Sequence, residues 1–270
     1  MRWQIGSRIL PCTAAVVPFI NGTSLAVSPG MTGATMHLYT GLSDFPDCAF
    51  LLHMLRPGNL FVDAGANVGV YTVLAAGVVG ARVITVEPIP STYQKMLTNV
   101  AINHIQNLVS AHNIGLGSTA QILRFTADRD TANRMITDAE YQGLSVEVPV
   151  RKLDDLFEGD APTLIKLDVE GAESDVLAGA EDALNNPSLM GLIVEMNGDS
   201  AEFSPNERAT HDCMIRHDFT PYAYYPFTRT LKALPSKHVG YTNTIYLRNL
   251  DEVQQRVSTA PSFSVHRQVI

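Results

Sequence analysis

An open α/β fold, a mostly parallel sheet with helices on both faces, follows from three observations in this sequence. Residues 59–71 run from an apolar strand-type stretch through Asp63, past Gly65 and Gly69, into an apolar helical stretch reaching about residue 79. That is a strand, a tight glycine turn and a helix, the opening unit of such a sheet. Four apolar runs end in an acidic residue: Asp63, Glu87, Asp168 and Glu195. Hydrophobic residues make up 46% of the 270 positions, ample material to cover a sheet on both faces.

Taken in order, residues 1–45 alternate short strand-like pieces (8–11, 24–28 and 35–39) with glycine and proline turns, which predicts a small β arm. Residues 47–55 are apolar at helical spacing and end at Pro57-Gly58. The first core strand starts at Leu60. A second covers 81–86, and Pro88 and Pro90 lead out of it. Ser91, with Gln94 three residues on, predicts a capping box on the next helix. Tyr93, Met96, Leu97 and Val100 give that helix one buried face. A third strand falls near 108–111 and ends at His112-Asn113. Strand-like pieces at 121–126 and 144–150 flank a polar loop, and further core strands cover 163–167 and 191–194. Ser204-Pro205-Asn206-Glu207 is a helix start with a serine cap, a first-position proline and a third-position glutamate. Strands at 222–225 and 242–247 predict a closing antiparallel hairpin, and nothing after 250 shows a clear pattern. The expected organisation is an arm over 1–45, a main domain over 46–250 and a tail over 251–270.

Bulk properties narrow the function classes. A formal net charge of −8, with no Lys/Arg run, disfavours non-specific nucleic-acid binding and points to a small-molecule or glycan partner. Cys12, Cys48 and Cys213 are scattered and form no CxxC pair, which indicates reduced thiols and a cytoplasmic location. The apolar stretch 9–20 is broken by Pro11 and Pro18 and lacks a clean cleavage site, so it does not read as a signal peptide. No apolar run approaches the ~18 residues of a membrane span.

The chemistry is written at the strand ends. In an open parallel sheet these ends share one edge, and ligands bind in the crevice there. Glycines at the turn let the backbone approach a ligand. The carboxylate of Asp63 repels pyrophosphate and pairs with an ammonium or with hydroxyls, which suits S-adenosylmethionine. Glu87, at the end of the next strand, can accept bonds from both ribose hydroxyls. A plain β-turn-α connection is the ordinary alternative, and NAD is the obvious competing ligand. The GxGxxG spacing that NAD calls for is absent from Gly65-Ala66-Asn67-Val68-Gly69.

Asp63 to Gly69, Val86-Glu87-Pro88 and above all Ile165-Lys166-Leu167-Asp168-Val169-Glu170-Gly171-Ala172-Glu173 resemble the FkbM family of S-adenosylmethionine-dependent methyltransferases. The likeness extends to residues 99–103 and 243–247 and covers roughly residues 45 to 248. It implies a Rossmann-like class I methyltransferase: a mostly parallel seven-stranded sheet with an antiparallel last strand. By resemblance Asp63, Gly65, Asn67 and Gly69 hold the methionyl part of the cofactor, Glu87 holds its ribose, and Asn113 approaches the adenine. The resemblance also implies O-methylation of a sugar or secondary metabolite, without naming the acceptor.

For the transfer itself, Asp168 or Glu170 could serve as base beside the sulfonium, with Glu195 and Asn197 positioning the acceptor and Tyr71 packing over the cofactor. Asp168 also belongs with the cofactor contacts. Asp168, Glu195 and Asn197 together would suit a Mg²⁺ ion. Glu173 reads as an ordinary helix N-terminal acid. His37, His53 and His211 are weaker bases because none falls at a strand end. The aromatic run Tyr222, Tyr224, Tyr225 and Phe227 could line an acceptor pocket or face the core. The competing functional class is a cofactor-binding partner or regulatory subunit without turnover.

Overall fold

In the computed structural model, residues 15–28, 31–128, 133–136, 141–196, 200–266 and 268–270 are described. The chain starts with an antiparallel pair, β1 (Ala15–Pro18) and β2 (Ser24–Val27), followed by helices Thr32–Thr40 and Phe45–Met54. The main sheet takes up β3 (Leu60–Ala64), β4 (Arg82–Val86) and β5 (Val109–His112). An excursion follows: β6 (Gly115–Leu116), β7 (Gln121–Thr126) and β8 (Ser145–Arg151) make a separate three-stranded sheet. The chain then returns through β9 (Leu164–Leu167), β10 (Gly191–Glu195), β11 (Thr220–Tyr225), β12 (Thr230–Ala233) and β13 (Asn243–Leu247). It closes with helix Leu250–Thr259 and a short hairpin, β14 (Ser264–Val265) and β15 (Gln268–Val269).

Eight strands lie in the order β12-β11-β13-β10-β9-β3-β4-β5. The five from β5 to β10 are parallel, while β13 runs antiparallel to both β10 and β11. The order reverses at β3: the chain proceeds to β4 and β5 on one side and later to β9 and β10 on the other. That switch point opens a crevice at the carboxyl ends of β3 and β9. Every residue of β3 and β9 is buried, as expected where helices cover both faces. One apolar core joins the sheet to the arm, to helices Phe45–Met54 and Leu250–Thr259 and to the segment following the glycine turn. A second joins it to helices Glu173–Ala178, Glu181–Asn185 and Pro205–Arg216. Among the described residues no helix is long and apolar enough to cross a membrane.

Several expectations are corrected. The sheet has eight strands, not seven, because residues 226–229 turn the chain back into β12 against β11. Residues 35–39 are helical: they lie in Thr32–Thr40, which buries Ala34 and His37 and stops at Gly41 with φ 83°. Residues 8–11 lie outside the described residues. Ser91 does not cap the helix Pro90–Ile102; the cap is Ile89, whose N–H is taken by the Glu87 carboxylate at 2.9 Å. The stretch after 250 does carry a pattern, since Val253 and Val257, four apart, are buried on one face of Leu250–Thr259. After the glycine turn the helix is α only over Val70–Thr72 and then widens to a π-helix over Val73–Val79. The Ser204 box forms as expected: Glu207 N–H donates to Ser204 Oγ and Ser204 N–H donates to Glu207 Oε2.

Candidate active site

A cavity of about 310 Å³ opens at the switch point and is lined by Asp63, Gly65, Asn67, Tyr71, Glu87, Lys166, Asp168, Glu170 and Glu195, among others. Its first wall is the glycine turn. Gly65 has φ 80°, and a Cβ there would fall 1.7 Å from the backbone oxygen of Asp168. Glycine is thus required both by the backbone angle and by the contact between the ends of β3 and β9. Gly65 and Ala66 donate their N–H groups to Val86 O, which ties the turn to β4. Asn67, at φ 50°, accepts the N–H of Val68 on its own side chain, a local bond that stabilises a left-handed residue. Gly69 sits at φ 81° and precedes the first helical residue.

Two acids organise this wall. Asp63 is 1% exposed and accepts a bond from Thr72 Oγ1 at 2.7 Å. Burial raises its pKa, and Lys166 works against that shift. Glu87 accepts the N–H of Ile89 on one oxygen and that of Asn67, at 3.0 Å, on the other. Burial pushes Glu87 up to about 7 against these bonds. Each of its oxygens keeps a lone pair for a hydroxyl donor. Asn113 is not in the cavity lining; its amide donates to Glu87 O and Pro88 O, so it holds the β4 exit in place.

The opposite wall is the Asp168–Glu173 turn. Glu170 takes φ 54° and Gly171 φ 96°. Glu173 explains the spacing: its carboxylate reaches back to the N–H groups of Gly171 (3.0 Å) and Val169 (3.3 Å) and accepts Asn206 Nδ2 at 2.7 Å. It is also the first acid of its helix, as expected, and its role is to shape the turn. Oxygen atoms of Asp168, Glu170 and Glu195 all come within 4.8 Å of one another. Burial, then the neighbouring Asp168, raises Glu195 far above the carboxylate range. Burial with Asp168 and Glu173 nearby brings Glu170 to about 7. Asn197 lies outside the described residues.

Sequence reasoning assigned no role to Lys166, although a lysine inside an apolar central strand is itself a signal. Its ammonium lies 2.5 Å from Asp168 Oδ2 and 4.9 Å from the centre of the Tyr71 ring. Burial pulls its pKa down, but Asp168, Asp63 and Asp44 outweigh this and hold the lysine charged. The arm supplies a third wall with Gly33, Met36, His37, Ser43 and Asp44. No local pattern announces those residues, since their place depends on where the arm crosses the sheet edge. His37 is bonded to Ser43 by both ring nitrogens and is lowered to about 4 by burial, so it is a neutral wall residue. His53 and His211 are not in the cavity lining; they bond Tyr224 and Tyr246, respectively. The aromatic run does not line it either, for Tyr224 is in the core and Phe227 packs outside on Phe45.

Residues 63–220, more than half of the chain, match the family described as the Methyltransferase FkbM domain. The chain belongs to the FkbM methyltransferase family. It is 30% identical over 188 residues to "Methyltransferase 1" of Beauveria bassiana (strain ARSEF 2860), covering 60% of this chain and 70% of the relative. It is 26% identical over 201 residues to "31-O-demethyl-FK506 methyltransferase FkbM" of Streptomyces tacrolimicus, covering 61% and 75%. Among solved structures it resembles P. horikoshii TYW2 in complex with MeSAdo, with 12% identity, a TM-score of 0.45, and 88% and 72% coverage. The FkbM match spans both the glycine turn and the Asp168–Glu173 turn, and a methyltransferase of this fold implies S-adenosylmethionine as donor. Polar donors and acceptors at the switch point, with Glu87 free to accept from hydroxyls, fit that group.

Proposed function

We propose that this FkbM-family chain is an O-methyltransferase acting on a hydroxyl of a neutral small molecule, a sugar, glycan or secondary metabolite. The carrying observation is the Asp168, Glu170 and Glu195 cluster beside the cofactor wall. Support comes also from the Streptomyces tacrolimicus relative, whose name places its methyl transfer on an oxygen. S-adenosylmethionine, when bound, supplies an electrophilic methyl group on a sulfonium. Asp63 to Gly69 and Glu87 would hold and orient it, leaving its methyl group open to an acceptor oxygen. Transfer to oxygen would leave the C–S electron pair on sulfur and would require the acceptor to give up its proton. Glu170, at about 7, is matched to take that proton near neutral pH. Glu195, raised by burial and by Asp168, holds a proton of its own and can donate to an acceptor oxygen.

The cluster offers oxygen donors of the kind Mg²⁺ takes. Asp168, however, already pairs with the Lys166 ammonium at 2.5 Å, so this carboxylate is engaged by a cation of the chain itself. The reaction proposed here uses Glu170 as base and routes no step through a metal. A small-molecule partner, with no nucleic acid, and a cytoplasmic location belong to the same proposal. Cys48 and Cys213 are both buried free thiols, and Cys12 lies outside the described residues.

Labelled-methyl transfer from S-adenosylmethionine to panels of sugars, macrolides and phenolics, with and without EDTA, tests this reading. We expect an O-methylated product at the same rate in chelator. Incorporation into nitrogen or carbon alone, or none at all, would sink it and would leave a cofactor-binding partner without turnover.

A further inference from the structure

The cavity gathers more acids than its own lysine can pair. Around the Lys166 ammonium stand Asp168, Asp63 and Asp44, three acids sharing one cation, and burial raises Asp44 and Asp63. Asp44 is the unexpected member: it comes from the segment between helices Thr32–Thr40 and Phe45–Met54, far from either sequence motif, and lines the same cavity. A second observation marks the spot as built for a ligand. Tyr71, 6% exposed, lines the cavity with its hydroxyl near Asp44 and Cys48, yet that hydroxyl makes no hydrogen bond of good geometry. A buried hydroxyl is costly to leave unpaired unless something polar arrives there.

We infer that Asp44 completes a cation-selective subsite for the donor's sulfonium, so that the cavity binds S-adenosylmethionine more tightly than S-adenosylhomocysteine. The inference rests on the S-adenosylmethionine reading and adds a residue and a consequence to it. Methyl transfer breaks the C–S bond and returns its electron pair to sulfur, so a cation becomes a neutral thioether. Asp44 would lose its partner at that moment, which would favour release of the spent cofactor. An extra unit charge a few ångström away in a partly buried site is worth roughly tenfold or more in affinity.

Calorimetric titration of the wild-type chain, Asp44→Asn and Asp44→Glu with S-adenosylmethionine, sinefungin and S-adenosylhomocysteine tests this. Sinefungin carries an amine in place of the sulfonium methyl and remains cationic. The wild type and Asp44→Glu should bind both cationic ligands roughly tenfold more tightly than S-adenosylhomocysteine. Asp44→Asn should lose most of that gap, with S-adenosylhomocysteine affinity changed by less than about twofold. Equal wild-type affinity for donor and product overturns the inference without any variant, so a misfolded Asp44→Asn does not shield it. An equal loss for all three ligands in Asp44→Asn also overturns it, because that would mark a contact to the amino-acid end they share. If none of the three binds, the S-adenosylmethionine reading itself falls, and the inference with it.

Discussion

Lys166 and Glu170 show how single residues set the chemistry. Lys166 keeps its charge in a buried strand because the carboxylates around it outweigh the cost of burial. Glu170 sits in a left-handed turn with two acids close by, and burial together with that repulsion brings it to about 7. A base must be ionised to act, so methyl transfer should rise with pH through about 7 and level off above it. In Glu170→Gln the rise should vanish and the plateau should drop roughly 10²-fold. Single-turnover rates from about pH 5.5 to about 8.5, at saturating donor, would show this; an unchanged profile in the variant would move the base elsewhere.

At the scale of elements, the cofactor wall depends on a helix that never touches the cavity. Asn99, on Pro90–Ile102, donates Nδ2 to Val68 O in the glycine turn at 2.7 Å. Its Oδ1 accepts the N–H of Ala26 in β2 at 2.7 Å. Asn103 repeats the tie one turn later, accepting from Ser24 N–H and donating to Ser24 O. One side chain therefore satisfies a buried carbonyl of the turn and a buried amide of the arm. Asn99→Ala leaves both without a partner and should cost about 2–3 kcal/mol in urea unfolding. Donor affinity should fall as well, although Asn99 lies outside the cavity. A variant of wild-type stability would mean that other groups or water take up both bonds. The same reasoning shows why residues 35–39 misled: in isolation they alternate like a strand. Their helix is stabilised by burying Ala34 and His37 against the arm and core, and a five-residue window does not show that.

Across the whole molecule, segments far apart in sequence meet beside the cavity. Asn243 of β13 donates Nδ2 to Asp47 of helix Phe45–Met54 at 3.0 Å, across 196 positions of sequence. Burial pushes Asp47 up to about 7, with the Asn243 bond working the other way. The folded state thus binds this proton more readily than the unfolded chain, whose carboxyl stays at its ordinary value. Stability from this group is present while the carboxyl is protonated and declines as pH rises from about 4 through about 7. Asp47→Asn keeps an acceptor for Asn243 and carries no charge to bury. Its stability relative to wild type should therefore grow between pH 5 and pH 8, by about 2–4 kcal/mol. Chemical unfolding of both proteins at the two pH values measures this, and a pH-independent difference would refute it.

By itself the sequence determined the sheet and half of the site. Both follow from local rules: apolar runs of strand length, glycines where the backbone turns left-handed, and acids at strand ends that one parallel sheet must bring to one edge. The Ser204 box was legible for the same reason, since both of its bonds close within three residues, and so was Glu173 as an acid at the start of its helix. Tertiary structure decided the rest. It placed Asp44 and His37 over the cavity, gathered three carboxylates around Lys166, turned residues 35–39 into helix and inserted β12 at the sheet edge. It spent the Asn113 amide on backbone carbonyls and withdrew Tyr224 into the core. Each of these depends on groups far apart in the chain, and the burial that sets their conformation and charge exists only once the chain has closed.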